Sequence, residues 1–173
     1  MVGDGPDRAP ANPAPVDLAA FADAEPGMAA EVRHLLGRHP HHVLATLRAD
    51  GSPRVSGTEV QFFADDLVAG AMPGSAKARD LARDGRFALH TNPGPDASMT
   101  GGDAKLSGIA DLVTDEGYRS AWLASLPHAP EGPFELIRFR FSQMVLTSVH
   151  PDGDRIVIRS WRPGRGVEVA ERS

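Results

Sequence analysis

The chain has 173 residues, 41% of them hydrophobic, with no cysteine and a formal net charge of −5. That length suffices for one domain with a sizeable core, and the lack of cysteine excludes disulfides and thiolate metal sites. The acidic balance, the lack of any lysine/arginine block and an aromatic content of only 6% argue against a nucleic-acid partner, which needs stacking platforms along a basic groove.

No apolar run approaches the roughly 20 residues of a bilayer span, so no membrane partner is expected. The N-terminus also lacks the basic and apolar regions of a signal peptide, and a cytoplasmic protein is the expectation. The 18 glycines and 15 prolines predict many turns and short strands.

Residues 1–20, and Met1 to Val16 above all, are rich in Pro, Ala, Gly and Asp and predict a flexible tail. A single domain is expected over 26–162, with a second tail over 163–173. From Pro26 to Arg38 the spacing of Met28, Val32, Leu35 and Leu36 predicts an amphipathic helix. His42 to Leu47 is an apolar strand, and Asp50-Gly51 centres the turn that follows. Pro53 to Phe63 alternates, with Arg54, Ser56, Thr58, Val60 and Phe62 sharing one face. Leu67 to Met72 is a third strand.

Pro73 and Gly74 then break the pattern, and Ser75 to Asp84 predicts a short helix with Ser75 as N-cap. Its apolar face is Ala78, Leu81 and Ala82, with Lys77, Asp80, Arg83 and Asp84 pointing elsewhere, and Gly85 is expected as a left-handed stop. Lys77 is the odd residue, because a cation in the first turn opposes the helix dipole at a cost of about 0.3–1 kcal/mol. A solvated lysine would explain it, and so would an anion received by Ser75, the open N–H groups and Lys77 together.

Phe87 to Asn92 predicts a fourth strand, Pro93 to Asp103 a mobile loop, and Ala104 to Val113 a fifth strand. Thr114 to Leu126 reads as a helix opened by Thr114, burying Tyr118, Ala121, Trp122 and Leu126. Phe134 to Val149 alternates again, and Ile156 to Trp161 is the last strand. The sum is a mainly β fold of six or seven antiparallel strands, with a short crossover helix and two outer helices. Closing such a sheet into a barrel removes its edges.

The run Leu44-Ala45-Thr46-Leu47-Arg48-Ala49-Asp50-Gly51-Ser52-Pro53-Arg54-Val55-Ser56, followed by Pro73-Gly74-Ser75-Ala76-Lys77-Ala78-Arg79-Asp80-Leu81 and by Lys105-Leu106-Ser107-Gly108, resembles the pyridoxamine 5′-phosphate oxidase-like superfamily of flavin-binding split β-barrels. It looks closest to the actinobacterial branch that uses flavin mononucleotide (FMN) or the 8-hydroxy-5-deazaflavin coenzyme. The resemblance covers Val43 to Trp161. It implies a flavin- or deazaflavin-dependent oxidoreductase that passes a hydride between the cofactor and a small conjugated substrate. A non-catalytic cofactor-binding or storage protein is the alternative. A homodimer with the cofactor between subunits is also implied.

Carried onto this chain, the resemblance gives Arg54, Ser75 and Lys77 the cofactor phosphate. A planar guanidinium fork and a point charge beside a helix start suit that task. Val55 and Ser56 on the same strand, and the backbone of Gly70 and Ala71 along the ring, complete the implied cofactor contacts. Ala76 stands where the oxidase proper often has a second basic residue, and no counterpart of its vitamin-phosphate-binding residues is evident near the C-terminus.

Lys105 is a candidate for stabilising a reduced cofactor's anionic ring, against a plain lysine at the barrel rim. Trp161 with Arg162 is a candidate cover for the cofactor, against a core tryptophan. His39, His41 and His42 lack the i, i+4 spacing and nearby carboxylate of a metal site, and His90 reads as structural. No nucleophile–base or carboxylate pair appears, so no catalytic residue is assigned and the cofactor is expected to carry the chemistry.

Overall fold

The computed structural model describes residues 13–94 and 101–173. The first twelve residues of the expected N-terminal tail, and most of the loop expected after Pro93, lie outside that range. Val16 already bridges to Phe141, with N–O distances of 3.0 and 2.7 Å. Helix α1 (Leu18–Ala24) follows, capped by Asp17, whose Oδ1 accepts from the Ala20 N–H at 2.8 Å. Leu18 and Phe21 of α1 are fully buried. Residues 16–20 are therefore part of the folded body, because two large apolar side chains three residues apart are enough to pin one helical turn. Helix α2 (Pro26–Gly37) buries Met28, Ala29, Val32, Leu35 and Leu36, the spacing read from the sequence.

The strands are β1 (His41–Leu47), β2 (Pro53–Glu59), β3 (Gln61–Phe63), β4 (Asp66–Ala71), β5 (Arg86–His90), β6 (Asp103–Leu112), β7 (Glu135–Val149), β8 (Ile156–Arg162) and β9 (Gly166–Arg172). Helix α3 (Ala76–Arg83) links β4 to β5, and α4 (Glu116–Ser125) links β6 to β7. Every pairing is antiparallel, in the order β2-β1-β5-β6-β7-β4-β3. Only Val60 separates β2 from β3, so the two ends of this path are arms of one bent strand and the sheet closes. Strand β7 serves two neighbours on one edge. Glu135 to Phe139 pair with β4, and Met144 to Val149 pair with β8. The register slips between Ser107 and Gly108, where Ser142 is the extra residue of a bulge that bends β7.

Among the described residues, nine strands and four helices replace the six or seven strands and three helices expected. Residues 166–172, expected as tail, form β9 on β8, with Val167 packed against the main core. Their alternation is weak, since Glu168, Val169 and Glu171 are all exposed on this edge strand. The core inside the barrel gathers Phe21, Leu44, Leu67, Leu89, Leu106, Ile137, Phe139, Phe141 and Trp161. Edge-to-face contacts of Phe87 with Phe139 and Phe141 run through it. A second, smaller cluster of Val68, Val113, Trp122 and Leu136 lies under α4.

Candidate functional site

Helix α3 lies against β1 and β2 and makes the polar corner of the molecule. Ser75 is its N-cap residue, yet the side chain makes no capping bond; Ser75 Oγ is buried and, among the described residues, without a partner. Lys77, half-buried in the first turn, donates from Nζ to the Gly57 carbonyl of β2 at 2.9 Å. Burial pushes the Lys77 ammonium below its ordinary value, partly offset by Glu59. Helix α3 buries Ala78 and Leu81 but leaves Ala82 exposed. Its end also differs from expectation. Asp84 closes the helix in an extended conformation at φ −143°. Gly85 is needed for space, since a Cβ there would sit 2.5 Å from the Ala110 carbonyl oxygen.

Asp80 departs furthest from the sequence reading. Expected among the outward-pointing charges, it is only 3% exposed. Its Oδ2 accepts from Arg54 Nε at 2.6 Å and from Thr46 Oγ1 at 2.9 Å, while Oδ1 accepts from Arg83 Nη2 at 3.2 Å. Burial raises its pKa, but the three donors outweigh this and hold it below the usual carboxylate value. Helical period could not have found it, since two residues from Ala78 is about 200° around the helix, and partners on β1 and β2 bury it.

A cleft of about 540 Å³ opens beside the α3 start, within the usual range of ligand sites, about 300–1,000 Å³. Gly57 and Thr58 of β2, Gly70 and Ala71 of β4, Ser75 and Lys77 form one wall; Trp122, Leu126 and Phe134 form the apolar wall opposite. Thr58 Oγ1, like Ser75 Oγ, is buried without a partner. Thr58 had been placed only on the strand face it shares with Arg54 and Ser56, with no role. Gly70 lets the indole approach, because a Cβ there would meet Trp122 at 3.3 Å. Trp122 is fixed in turn by donating from Nε1 to Gln61 Oε1 at 2.8 Å.

Of the residues singled out from the sequence, Gly70, Ala71, Ser75 and Lys77 thus line one cleft. Arg54 stands three residues along β2 from the carbonyl that Lys77 holds, tied to Asp80. Ser56 is half-buried on the same strand face as Arg54, while Val55 is 70% exposed on the other. The cleft does not include Lys105, which is paired with the buried Asp103 and with Thr147 Oγ1 at 3.1 Å. Trp161 is a core residue, 3% exposed, with its ring 4.7 Å from that of Phe21.

Among the histidines, His41 lines the cleft and lies 3.2 Å from Glu59. His42 is buried, accepts from the Asn92 N–H at 3.2 Å, and is pushed below its ordinary pKa by burial. His90 Nδ1 lies 2.6 Å from the Thr91 carbonyl oxygen. His150, Asp152 and Asp154 are the one trio of ligand-type side chains brought together among the described residues. The Arg155 guanidinium already contacts all three.

A closed antiparallel barrel, with a crossover helix whose first turn opens on a cleft, is the architecture of a split β-barrel. The chain belongs to the pyridoxamine 5′-phosphate oxidase family, whose model matches residues 28–147. Among solved structures it is similar to a pyridoxamine 5′-phosphate oxidase-related, FMN-binding protein of Nostoc punctiforme. The TM-score is 0.62 at 13% identity, over 86% of this chain and 96% of that one. A putative pyridoxamine 5′-phosphate oxidase of Listeria innocua gives 0.55 at 15% identity, over 68% and 95%. A heme-binding protein of Mycobacterium smegmatis gives 0.57 at 13%, over 82% and 86%. At such identities the likeness concerns the fold. No curated protein matches the chain.

Proposed function

We propose that the cleft at the start of α3 binds a flavin through its phosphate, and that the protein is a flavin- or deazaflavin-dependent oxidoreductase. FMN is the cofactor put forward, and the 8-hydroxy-5-deazaflavin coenzyme is its alternative. The observation that carries the reading is the polarity of the corner. Two buried hydroxyls without partners, Ser75 Oγ and Thr58 Oγ1, stand in one cleft with a half-buried ammonium and the open end of a helix. Buried polar atoms are rarely left unpaired, and an anionic oxygen would accept from all of these donors.

Arg54 and Arg83 share the single carboxylate of Asp80, which leaves one positive charge over, and Lys77 adds another, against Glu59 and Glu131 on the cleft lining. The apolar wall of Trp122, Leu126 and Phe134 suits a planar ring. When bound, a flavin supplies hydride transfer to or from a small conjugated substrate. The chain's part is to hold the phosphate, lay the ring along Gly70 and Ala71, and exclude water with the apolar wall. A homodimer belongs to this reading, with a second copy covering the exposed side of the ring; sedimentation of the flavin-loaded protein as a monomer would remove it.

The test is titration of purified protein with FMN and riboflavin, followed by flavin fluorescence, and with the deazaflavin coenzyme. A charge-assisted hydrogen bond contributes about 1.5–3 kcal/mol. Lys77→Ala should therefore weaken FMN binding about tenfold to a hundredfold, with riboflavin, which has no phosphate, unaffected. Equal FMN binding by parent and variant would overturn the anion site. Stoichiometric flavin that neither a nicotinamide reductant nor a conjugated acceptor turns over would leave binding or storage as the function.

A further inference from the structure

The polar corner contains a carboxylate that the flavin reading leaves without a task. Asp80 is buried and both its oxygens are engaged, so it contacts no ligand. A buried ion pair is not in itself a reason for stability, because the desolvation it costs is comparable to the attraction it regains. The two arginines it holds are used differently. Arg83 gives one Nη2 to both Asp80 and the Leu47 carbonyl of β1. Arg54 gives Asp80 only its Nε, at 2.6 Å, and among the described residues its two Nη groups have no partner.

A guanidinium is a rigid plane. Fixing the Nε edge against a carboxylate that is itself fixed by Thr46 on β1 and by its place on α3 fixes the plane and the direction of the Nη pair. Lys77, one helical turn before Asp80, is held to Gly57 of the same strand that carries Arg54. Helix α3 thus holds its own Lys77 and, through Asp80, Arg54 against β2. We propose that Asp80 is a positioning residue for the anion site: it occupies the Nε edge of Arg54 so that the Nη edge is left, preoriented, for a phosphate.

The inference rests on the flavin-phosphate reading of the cleft, and the experiment separates the two. Dissociation constants for FMN and riboflavin are measured for the parent, Asp80→Asn, Arg54→Ala and the double variant. The parent should prefer FMN at least tenfold. Asp80→Asn should reduce that preference about fivefold with riboflavin affinity unchanged. The double variant should lose no more than Arg54→Ala alone, because Asp80 acts only through Arg54.

A parent that binds FMN and riboflavin equally overturns the flavin-phosphate reading, and the positioning role with it. A parent that prefers FMN, with the full preference kept in Asp80→Asn, overturns the positioning role alone. So do losses that multiply in the double variant. Should Asp80→Asn fail to fold, the side-chain nitrogen resonances of Arg54 in the parent decide. The Nε–H should be protected from solvent exchange with or without flavin, and the Nη signals should shift with FMN but not with riboflavin. A free Nε–H, or Nη signals indifferent to the phosphate, would overturn the proposal.

Discussion

The barrel interior and the cleft are built from opposite faces of the same two strands. On β4, Leu67 and Ala69 enter the main core while Val68 packs under α4 and Gly70 lines the cleft. On β7, Ile137, Phe139 and Phe141 face the barrel while Leu136 faces Trp122 and Val113. On these two strands the interior face is apolar and buried, as a structure-bearing core must be. The cleft face has a small cluster, a glycine and, at its polar end, buried hydroxyls without partners. Strand alternation lets one backbone ladder provide both, the first face supplying stability and the second leaving capacity for a ligand.

Damage to the interior should therefore cost stability and leave ligand preference alone, with the reverse at the cleft. The largest loss is expected for Phe139→Ala, which removes a fully buried ring that packs edge-to-face on Phe87 at 4.8 Å. About 3–5 kcal/mol should be lost in urea unfolding, and a loss below about 1 kcal/mol would mean that the barrel is not the main core. Gly85→Ala comes next. Its Cβ would press on the Ala110 carbonyl, a backbone atom held by the Ala110 N–H···O bond to Gly85 at 2.7 Å, at a cost of about 1–3 kcal/mol.

A smaller, pH-dependent effect belongs to His42. Its folded pKa lies below its ordinary 6.5, so between the two values the unfolded chain binds the extra proton. Stability should be complete above about pH 6.5 and fall as the pH drops through that window. His42→Asn keeps an acceptor for the Asn92 N–H and should flatten this part of the profile; an unchanged slope would assign it to other groups. Lys77→Met should show the least change, with stability within about 0.5 kcal/mol of the parent. A large loss there would place Lys77 with the supporting structure and not with the site.

Local spacing was enough for much of this. The apolar stripe of α2, the Asp50-Gly51 turn and the limits of α3 follow from periods and turn residues that act within a few positions. The Ser75-x-Lys77 element in its strand context resembled one family, and the family match covers residues 28–147. What escaped depends on partners distant in the chain. The segment 166–172 looks like tail because its pattern is that of an edge strand, and only pairing with β8 orders it. Trp161 and Lys105 were plausible at a site until packing gave one to Phe21 and the other to Asp103.

By itself the sequence determined the apolar stripe of α2, the inner strands from β1 to β8 in outline, and that a cation stands unfavourably in the first turn of α3. The tertiary structure decided that Asp80, a residue of ordinary helical polarity, is buried. It also decided that Thr58 and Ser75 lack partners and that Trp122 comes against Gly70 from 52 residues away. The reason is physical. Propensity and periodicity are short-range quantities, whereas burial and hydrogen-bond satisfaction depend on which surfaces the closed barrel brings together.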